Sequence, residues 1–600
     1  MVNAPLVALA VTTALALALR LDALSAVPGN PSYDAAVRSM AQSWHNFLFA
    51  AFEPSARLGL DKPPLDLWLQ VASVKAFGFH SFALKLPEAI AGAAAVPLLY
   101  DLVRRLFGAT AGLVAALGLA TLPVSVLTSR SDTMDSLLMA LIVVTGWLVV
   151  RAAQSGRARY LYGAAAVLGL AFNVKLFEAL IPLPAFALLY ATAARQPMRR
   201  RIEQGGVALL VLALVSVSWL TVVWLAPTGH RPFAIGSRHG SVWDAAFVFN
   251  GVHRLEPRTA GTGPAGPDTG SPSPGRLLTR RGSRLGATVG SELVAALLIG
   301  GLALGLAAGA RDGPRLRRAG ALAIALWLVT GAVGFSLMGR LEVRYLEAFT
   351  PAIAAALGAG VAMLGDVAPG TRLRAAALAA FAFAAGYAVY LAADDAVLEA
   401  LIVVAALAAG VCLVKRAAIA VPLALTALLA VPASESVAVV GHHRFDSSTG
   451  GGFLSHRQTA TLGSYLTAHQ DGARYEAAVL TVWQAASLVT RDGRPVLAIR
   501  NVDGGPILSP ADLRREVELG ALRYVIAGRP CITPSASGCP PATSWAQANG
   551  HLVRGVAPLL GVYRLDRARP RGCARAGERE EERCRSIYRS SATRRRPGPG

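Results

Sequence analysis

The stretch LKLPEAIAGAAAVPLLYDLVRRLFGATAGLVAALGLATLPVSVLT, residues 84–128, contains two long apolar runs separated by Arg104 and Arg105. A run of roughly 20 apolar residues crosses a bilayer as a helix, because in lipid every backbone N–H and C=O must be hydrogen-bonded within the segment. Runs of this kind recur along a chain of 600 residues that is 54% hydrophobic and 16% charged. This composition excludes an ordinary soluble protein.

The apolar runs predict an all-α polytopic membrane protein with about thirteen transmembrane helices. The first run lacks the basic region and the cleavage site of a signal peptide, so we interpret it as a retained helix. The expected spans are residues 4–22, 84–103, 109–128, 135–152, 160–176, 177–194, 206–226, 290–309, 319–338, 348–365, 375–392, 396–414 and 417–434.

The formal net charge of +22 does not indicate nucleic-acid binding, because the basic residues concentrate in alternate loops between the spans. Cytoplasmic loops of membrane proteins carry such an excess of Lys and Arg. We therefore expect the N-terminus in the cytoplasm, and the loops 23–83 and 227–289 and the chain after about residue 435 outside. The basic loops contain Arg104, Arg105, Arg151, Arg157, Arg159, Arg195, Arg199, Arg200, Arg201, Arg311, Arg315, Arg317, Arg318, Arg372, Arg374, Lys415 and Arg416.

Residues 441–565 have the composition of a small soluble α/β domain on the outer face. Alternating and β-branched patterns predict strands at residues 477–481, 495–499, 523–527 and 560–564, and SPADLRREVELG has the pattern of a capped amphipathic helix.

The cysteines fit an exterior location for this domain. Cys531 and Cys539 flank a short Pro/Ser/Gly loop, and an oxidising compartment permits a disulfide between them. Residues 566–600 form a basic tail without apolar periodicity, which includes Cys573 and Cys584 and which we expect to be disordered. The Gly/Pro/Ser-rich segment of about residues 255–285 is expected to be flexible.

Polar residues that carry chemistry are expected in two exterior loops. The first contains NPSYDAAVRSMAQSWHNFLFAAFEP (residues 30–54), in which apolar spacing predicts short interfacial helices, and GLDKPPLDLW (59–68). The second contains SRSDTMDSLL (129–138). Both loops open on the same side, so their polar groups can converge on one cavity. The candidates are Asp34, His45, Asp61, Lys62, Arg130, Asp132 and Asp135, together with Arg344 at a later helix junction.

Several candidates also have a purely structural interpretation. One of Asp132 and Asp135 can cap the helix that follows. His45 can be an ordinary interfacial residue, and Lys175 can extend to the surface or pair with Glu178. The two prolines after Lys62 fix an extended backbone, so Asp61 and Lys62 form a rigid acid and base pair at the bilayer surface.

The motifs YDAAVRSMAQSWHNFLF, DKPPLDLWLQ, LPEAIAGAAAVPLLYDLVRRLFG, RSDTMDSLLM and GLAFNVKL together resemble the bacterial branch of the family 39 glycosyltransferases. These membrane enzymes have the GT-C fold and are related to protein O-mannosyltransferases and aminoarabinose lipid A transferases. The resemblance runs from about residue 5 to 450. It implies a GT-C domain over residues 1–440 that takes a sugar from a polyprenyl-phosphate carrier and passes it to an extracytoplasmic acceptor, which is a lipid, a cell-wall glycan or a protein.

The resemblance also implies residue roles. The acid and base of the DKPP motif are associated in relatives with a divalent metal and with the lipid phosphate, which points to Asp61 and Lys62. Asp34 resembles the acid of the first loop, although relatives have that acid a few residues earlier, near Asn30. Asp135 resembles the acid of the second loop, with Asp132 as the alternative.

This chemistry needs cations at the phosphate and a carboxylate at the acceptor. Negative charge grows on the departing phosphate, so Lys62, with Arg344 as a second cation, stabilises the transition state. Asp34 or Asp135 accepts the proton of the acceptor hydroxyl, and the resemblance implies inversion at the anomeric carbon.

Two other classes of function fit parts of the sequence. A multi-pass transporter or flippase also places ionisable residues near the membrane, but the chain lacks an obvious internal repeat. A binding module with a membrane anchor does not require the DKPP and RSDTMD motifs.

Overall fold

The computed structural model describes residues 4–256, 269–280, 285–366, 372–415, 417, 419–446, 452–528, 531, 538–557 and 560–566. The chain divides into two compact units, residues 1–453 and 454–600. The predicted disordered tail lies almost wholly outside the described residues, as does most of the predicted flexible segment near residue 260.

The first unit is helical, and its helices follow the apolar runs of the sequence. Its α-helices are Ala4–Leu21, Pro31–Met40, Trp44–Leu48, Leu65–Phe77, Ser81–Phe107, Ala109–Thr121, Pro123–Ser129, Asp135–Ser155, Ala158–Lys175, Leu183–Ala193, Met198–Leu225, His253–Leu255, Ser291–Ala295, Gly301–Gly309, Arg315–Leu337, Thr350–Asp366, Arg372–Ala392, Ala396–Lys415 and Ala420–Gly441. Turns of 3₁₀-helix at Leu176–Leu180 and Val343–Phe349, and of π-helix at Asp244–Val252, Gly286–Gly290 and Ala296–Gly300, extend some of these helices.

In the described part of the chain, eleven helical segments are long and apolar enough to cross a membrane. A twelfth span is the pair Ala109–Thr121 and Pro123–Ser129, which is bent by 58°. The prediction of a full span at 177–194 is wrong in its length, because the helix there is Leu183–Ala193, about 16 Å long at 1.5 Å per residue.

This short helix nevertheless returns the chain along the neighbouring helix Asp135–Ser155. Lys175, before it, is bonded to Asp135. Gln196, after it, donates to the carbonyl of Gly156 (2.6 Å), at the opposite end of the same neighbour. The short helix therefore preserves the predicted alternation of the loops between two opposite ends of the helical unit.

The bend at Leu122 is stabilised by a buried arginine. A proline at the start of a helix has no N–H, and a bend leaves carbonyls of the preceding turn without partners. The Arg20 guanidinium donates to the carbonyls of Leu119 and Ala120, each at 3.2 Å, and to Ser125 Oγ at 3.0 Å. After the bend, the residues that begin with Ser129 lie beside the helix that carries Arg20.

The first exterior loop forms short helices, as the apolar spacing predicts. Asn30 and Ser43 cap the helices Pro31–Met40 and Trp44–Leu48 by accepting backbone N–H bonds from Ser32 and Asn46. A two-residue parallel pairing then joins Leu58–Gly59 to Phe233–Ala234. This pairing ties the loop before Lys62 to the loop after Leu225.

The second unit contains a five-stranded sheet, in which four strands lie at the predicted positions and one, His551–Leu552, was not predicted. Its strands are β3 Ala478–Thr481, β4 Leu497–Arg500, β5 Tyr524–Ile526, β6 His551–Leu552 and β7 Val562–Arg564, in the order β4-β3-β5-β7-β6. β4, β3 and β5 are parallel, whereas β7 and β6 are antiparallel to their neighbours. Its helices are His456–His469, Val482–Asp492, Pro510–Glu518 and Pro541–Asn549.

Local sequence explains the helices of this unit. Ser509 and Asp512 form a reciprocal capping box at the start of Pro510–Glu518, and Gly493, at φ 64°, ends Val482–Asp492. The amphipathic pattern buries Leu513 and Val517. Cys531 and Cys539 form a disulfide, as the sequence allows.

Candidate functional site

The residues predicted from the two exterior loops lie in two neighbouring groups, one rich in cations and one rich in acids. We call the first the cation cluster: Lys62, Lys175, Arg254 and Arg344 with their partners Asp61, Asp135, Glu178 and Asp446. We call the second the acid cluster: Asp34, Asp66, Glu88 and Asp132, with Lys85.

Asp135 and Lys175 form the buried centre of the cation cluster. Asp135 begins a helix and Lys175 ends another, and the Lys175 ammonium is bonded to Asp135 Oδ1 and lies 2.7 Å from Glu178 Oε2. Asp135 Oδ2 lies 4.0 Å from Arg344 Nε and has no hydrogen-bond partner among the described residues. A buried carboxylate oxygen without a donor is positioned to accept a hydrogen bond from a substrate hydroxyl.

Asp61 and Lys62 form the part of the cation cluster that is more open. Their charged atoms are 2.6 Å apart, and their side chains are 11% and 14% exposed. Asn250 donates to Asp61 Oδ2 at 3.0 Å, and Arg254 donates to Asn250 Oδ1 at 3.0 Å. Burial opposes ionisation of Asp61, but Lys62 and Arg254 outweigh it and hold the pKa of this carboxyl below its ordinary value.

An apolar groove begins directly after this pair. Pro63 and Pro64 lead into the helix Leu65–Phe77, and Pro64 and Leu65 line a cavity of about 210 Å³. Two indole N–H groups fix its walls: Trp68 donates to the carbonyl of Phe47 (2.8 Å) and Trp219 to that of Leu48 (2.9 Å). The other lining residues are Leu48, Leu170, Asn173, Ser218 and Val222.

The acid cluster begins with the predicted base Asp34. Asp34 is 6% exposed and its carboxyl faces that of Asp132, which accepts the Asn30 N–H at 2.6 Å. Burial and the neighbouring Asp132 raise the pKa of Asp34 well above its ordinary value, and Lys85 offsets only part of this. The close approach depends on Gly29, since a Cβ there would lie 2.2 Å from Asp34 Oδ2.

A second pair of acids lies deeper. Glu88 Oε2 accepts the backbone N–H of Ser136 at 2.7 Å, so Glu88 caps the helix that begins with Asp135. Asp66 faces Glu88, and Gln70 joins Asp66 Oδ2 (2.7 Å) to the carbonyl of Asp132 (3.2 Å). Burial raises the pKa of Asp66 to about 6.

The remaining two candidates make structural contacts. The Arg130 guanidinium donates to the carbonyls of Leu19 (3.1 Å) and Asp22 (2.7 Å), at the end of the first helix. The His45 ring packs 4.7 Å from the Phe49 ring and 6.5 Å from that of His230. Neither set of contacts includes a member of the cation cluster.

The donor set does not fit a divalent metal at Asp61. Asp61 Oδ2 is occupied by the Lys62 ammonium and the Asn250 amide. Within the described residues no three or more His, Cys, Asp or Glu side chains are grouped so as to hold a metal ion. We therefore assign no step to a metal.

The prediction missed Arg254 and Asp446. They lie in the short polar stretches FNGVHR and HHRFD, in which no motif distinguishes them from ordinary surface charges. Lys175 was identified only as a possible partner of Glu178. Its second partner, Asp135, is 40 residues away and could not be identified from local spacing.

Comparison with known proteins supports the class of the fold. Residues 61–220 match the family model described as dolichyl-phosphate-mannose-protein mannosyltransferase, and residues 462–549 match that of "Putative mannosyltransferase YkcB-like, C-terminal". "Putative mannosyltransferase YkcB" of Bacillus subtilis (strain 168) is 38% identical over 239 residues, which are 40% of this chain and 33% of that protein. The chain thus covers about a third of that relative's length.

Two solved structures share the fold. ArnT from Cupriavidus metallidurans bound to undecaprenyl phosphate superposes with a TM-score of 0.58 at 16% identity, over 94% of this chain and 98% of that chain. The oligosaccharyltransferase AglB from Archaeoglobus fulgidus, in complex with an inhibitory peptide and a dolichol-phosphate, superposes with a TM-score of 0.50 at 15% identity, over 87% and 69%.

The helical unit therefore has the GT-C fold of polytopic membrane glycosyltransferases. The family match over residues 61–220 begins at Asp61 and includes RSDTMD, so it confirms the resemblance to the protein mannosyltransferase-like family that these motifs indicate.

Proposed function

We propose that this chain transfers a sugar from a polyprenyl-phosphate carrier to an acceptor on the outer face of the plasma membrane, with inversion. The observation that carries the proposal is that Lys62, a member of the cation cluster, lies two residues before Pro64, which with Leu65 lines the apolar groove. A polyprenyl phosphate has the same two parts, an anionic headgroup and a long apolar chain. Undecaprenyl phosphate and dolichol-phosphate are bound by the two proteins with similar folds.

Lys62 and Arg254 are the proposed ligands of the donor phosphate. Within the described part of the chain no carboxylate oxygen lies within 4.0 Å of the Arg254 guanidinium, whose hydrogen bond is to the neutral Asn250 amide. Arg254 can therefore bind an anion, and Lys62 lies two residues before Pro64, which lines the groove. Arg344 supplies a third positive charge from the buried side of the cluster.

The chemical step moves charge toward these cations. The acceptor hydroxyl oxygen bonds to the anomeric carbon while the bond from that carbon to the phosphate oxygen breaks, so the phosphate leaves with one more negative charge. One unit charge at about 4 Å and an effective dielectric constant of about 20 contributes roughly 4 kcal/mol before desolvation, or about 10³ in rate. Positioned cations therefore stabilise the transition state more than the bound donor.

Asp135 is the proposed acceptor of the hydroxyl proton. Its Oδ2 faces the cluster without a donor, and Lys175 on Oδ1 and the nearby Arg344 offset part of the cost of burying the charged carboxylate. Asp34 fits this role less well, because its raised pKa and its contact with Asp132 favour a protonated carboxyl, which cannot accept a proton.

The positions of the basic loops support the outer face. Gly156 and Gln196 mark the end of the helix Asp135–Ser155 near Arg157 and Arg195, and the cation cluster lies at the other end. With the basic loops in the cytoplasm, the cluster faces outward.

Lys62→Ala and Arg254→Ala test the proposal in membranes supplied with radiolabelled polyprenyl-phosphate sugars. We expect both variants to insert normally and to lose about 10²- to 10³-fold in transfer, since each loses one cation at the leaving group. Lys75→Ala is the matched control, because Lys75 is an exposed lysine at the far end of the helix that follows Lys62. Full transfer by Lys62→Ala, or movement of label across the membrane without a new glycosidic bond, would refute the proposal and favour a carrier.

A further inference from the structure

The segment after the last membrane helix supplies a carboxylate to the cation cluster. Asp446 lies five residues beyond Gly441, where the helix Ala420–Gly441 ends, and is 3% exposed. It follows the polar residues His442, His443 and Arg444, and no motif marks it in the sequence. A charged side chain this deeply buried requires a partner, because removing its hydration is costly.

Asp446 holds Arg344 at two points. Its Oδ2 accepts the backbone N–H of Arg344 at 3.0 Å, and its Oδ1 accepts from the Arg344 Nη1 at 3.4 Å. One carboxylate therefore fixes both the main chain of the 3₁₀ turn Val343–Phe349 and the guanidinium that projects from it. The Nε edge of the same guanidinium faces Asp135 Oδ2, 4.0 Å away.

Asp446 is itself fixed to the second exterior loop. Its backbone N–H donates to Ser131 Oγ at 2.9 Å, and Ser131 Oγ donates to the carbonyl of Leu127 at 2.8 Å. Ser131 lies in the RSDTMD motif, four residues before Asp135. The carboxylate thus sets the position of Arg344 relative to the loop that carries Asp135.

We propose that Asp446 is a positioning residue that aims Arg344 at the departing phosphate and keeps it from closing a direct ion pair with Asp135. Without Asp446, the guanidinium is free to close on Asp135 Oδ2, which lies 4.0 Å from its Nε, and pairing there would occupy the proposed proton acceptor. Asp446 thereby acts on both the donor site and the acceptor site through one side chain. The inference rests on the function proposed above.

Asp446→Asn tests this role in the purified full-length chain. Asn keeps the size and one acceptor oxygen but removes the charge that orients the guanidinium. We expect transfer to fall about tenfold or more, the usual effect of losing one charge-assisted bond of 1.5–3 kcal/mol, with most of the loss in kcat. The matched control is Glu435→Gln, which breaks the ion pair of Glu435 with Arg444 (2.5 Å) on the same final helix and its end.

A double-mutant cycle with Arg344→Gln separates positioning from a general loss of structure. If Asp446 acts through Arg344, then Asp446→Asn has little further effect once Arg344→Gln is present. Additive losses in the double variant, or wild-type transfer by Asp446→Asn, would overturn the inference. If the wild type and Glu435→Gln both fail to transfer sugar from any polyprenyl phosphate, the proposed function itself fails, which is a different outcome.

Discussion

The cation cluster and the acid cluster lie next to each other and contain residues of the same two loops. Their carboxyl groups nevertheless have opposite electrostatic environments. In the cation cluster each lysine lies beside a carboxylate, as in Lys62 with Asp61 and Lys175 with Asp135, so the charges persist. In the acid cluster, carboxyls face carboxyls, as in Asp34 with Asp132 and Asp66 with Glu88. Like charges this close cannot both remain ionised when buried.

An acid in a polar motif is therefore not automatically a base. An ion-paired carboxylate with a free oxygen can accept a proton at neutral pH, whereas a member of a buried acid pair retains one. The acid cluster instead holds backbone: Glu88 caps the helix of Asp135, and Asp132 fixes the N–H of Asn30. We therefore interpret the acid cluster as the support on which the cation cluster is built.

The largest expected effect that separates the two clusters is that of Asp135→Asn. We expect transfer to fall about 10²- to 10⁴-fold, the usual contribution of a general base, while binding of the polyprenyl-phosphate donor changes little. Single-turnover transfer and donor binding are measured on the same preparation. Asp34→Asn is the comparison variant, and a loss as large as that of Asp135→Asn would show that the two clusters do not differ in this way.

A smaller effect, on stability, is expected at Glu88. Glu88→Leu leaves the N–H groups of Ser136 and Leu137 without an acceptor, at a cost of about 1–3 kcal/mol for an unpaired buried donor. Glu88→Gln retains an acceptor oxygen and is expected to be close to wild type. Thermal unfolding in detergent measures both variants, and equal stability of the two would contradict the capping role.

The smallest effect is a pH dependence carried by Asp66. The pKa of Asp66 in the folded state is about 6, above the ordinary value near 3.8. At pH values between these two, the folded state therefore binds more protons than the unfolded state. The contribution of Asp66 to the free energy of unfolding is fully present below about pH 4 and decreases as the pH rises to about 6. Above about pH 6 it does not change further.

Asp66→Asn removes the titrating group, so we expect a flatter dependence of the unfolding temperature on pH between about 4 and 6, by an amount on the order of 1–3 kcal/mol at most. Asp503, an exposed acid of the second unit, provides the matched substitution Asp503→Asn. An identical pH slope in Asp66→Asn and the wild type would argue that the acid pair is not protonated.

Local sequence was sufficient for most of the membrane fold. Apolar length predicts the spans, because a helix is the solution that satisfies every backbone group within one segment in lipid. The exception is Leu183–Ala193. Its apolar run begins with a 3₁₀ turn at Leu176, and the sequence carries no signal for the residue at which the regular α-helix starts.

The candidate site was predicted only in part. Asp61 and Lys62 are adjacent in sequence and are followed by two prolines, so the pair could be identified from the sequence directly. The pairing of Asp135 with Lys175, of Asp34 with Asp132 and of Arg344 with Asp446 depends on which helix ends meet, and these partners are separated by 40 to 102 residues. No local sequence pattern predicts which of these distant residues form pairs.

By itself, the sequence determined that this protein spans a membrane many times, that its polar motifs gather between helix ends, and that a small sheet domain follows, because hydrophobic length and periodicity are local properties. Only the tertiary structure decided which acids are charged. A carboxyl is ionised or protonated according to the partner within a few ångströms, and here that partner comes from a distant part of the chain, as Lys175 does for Asp135 and Asp132 does for Asp34.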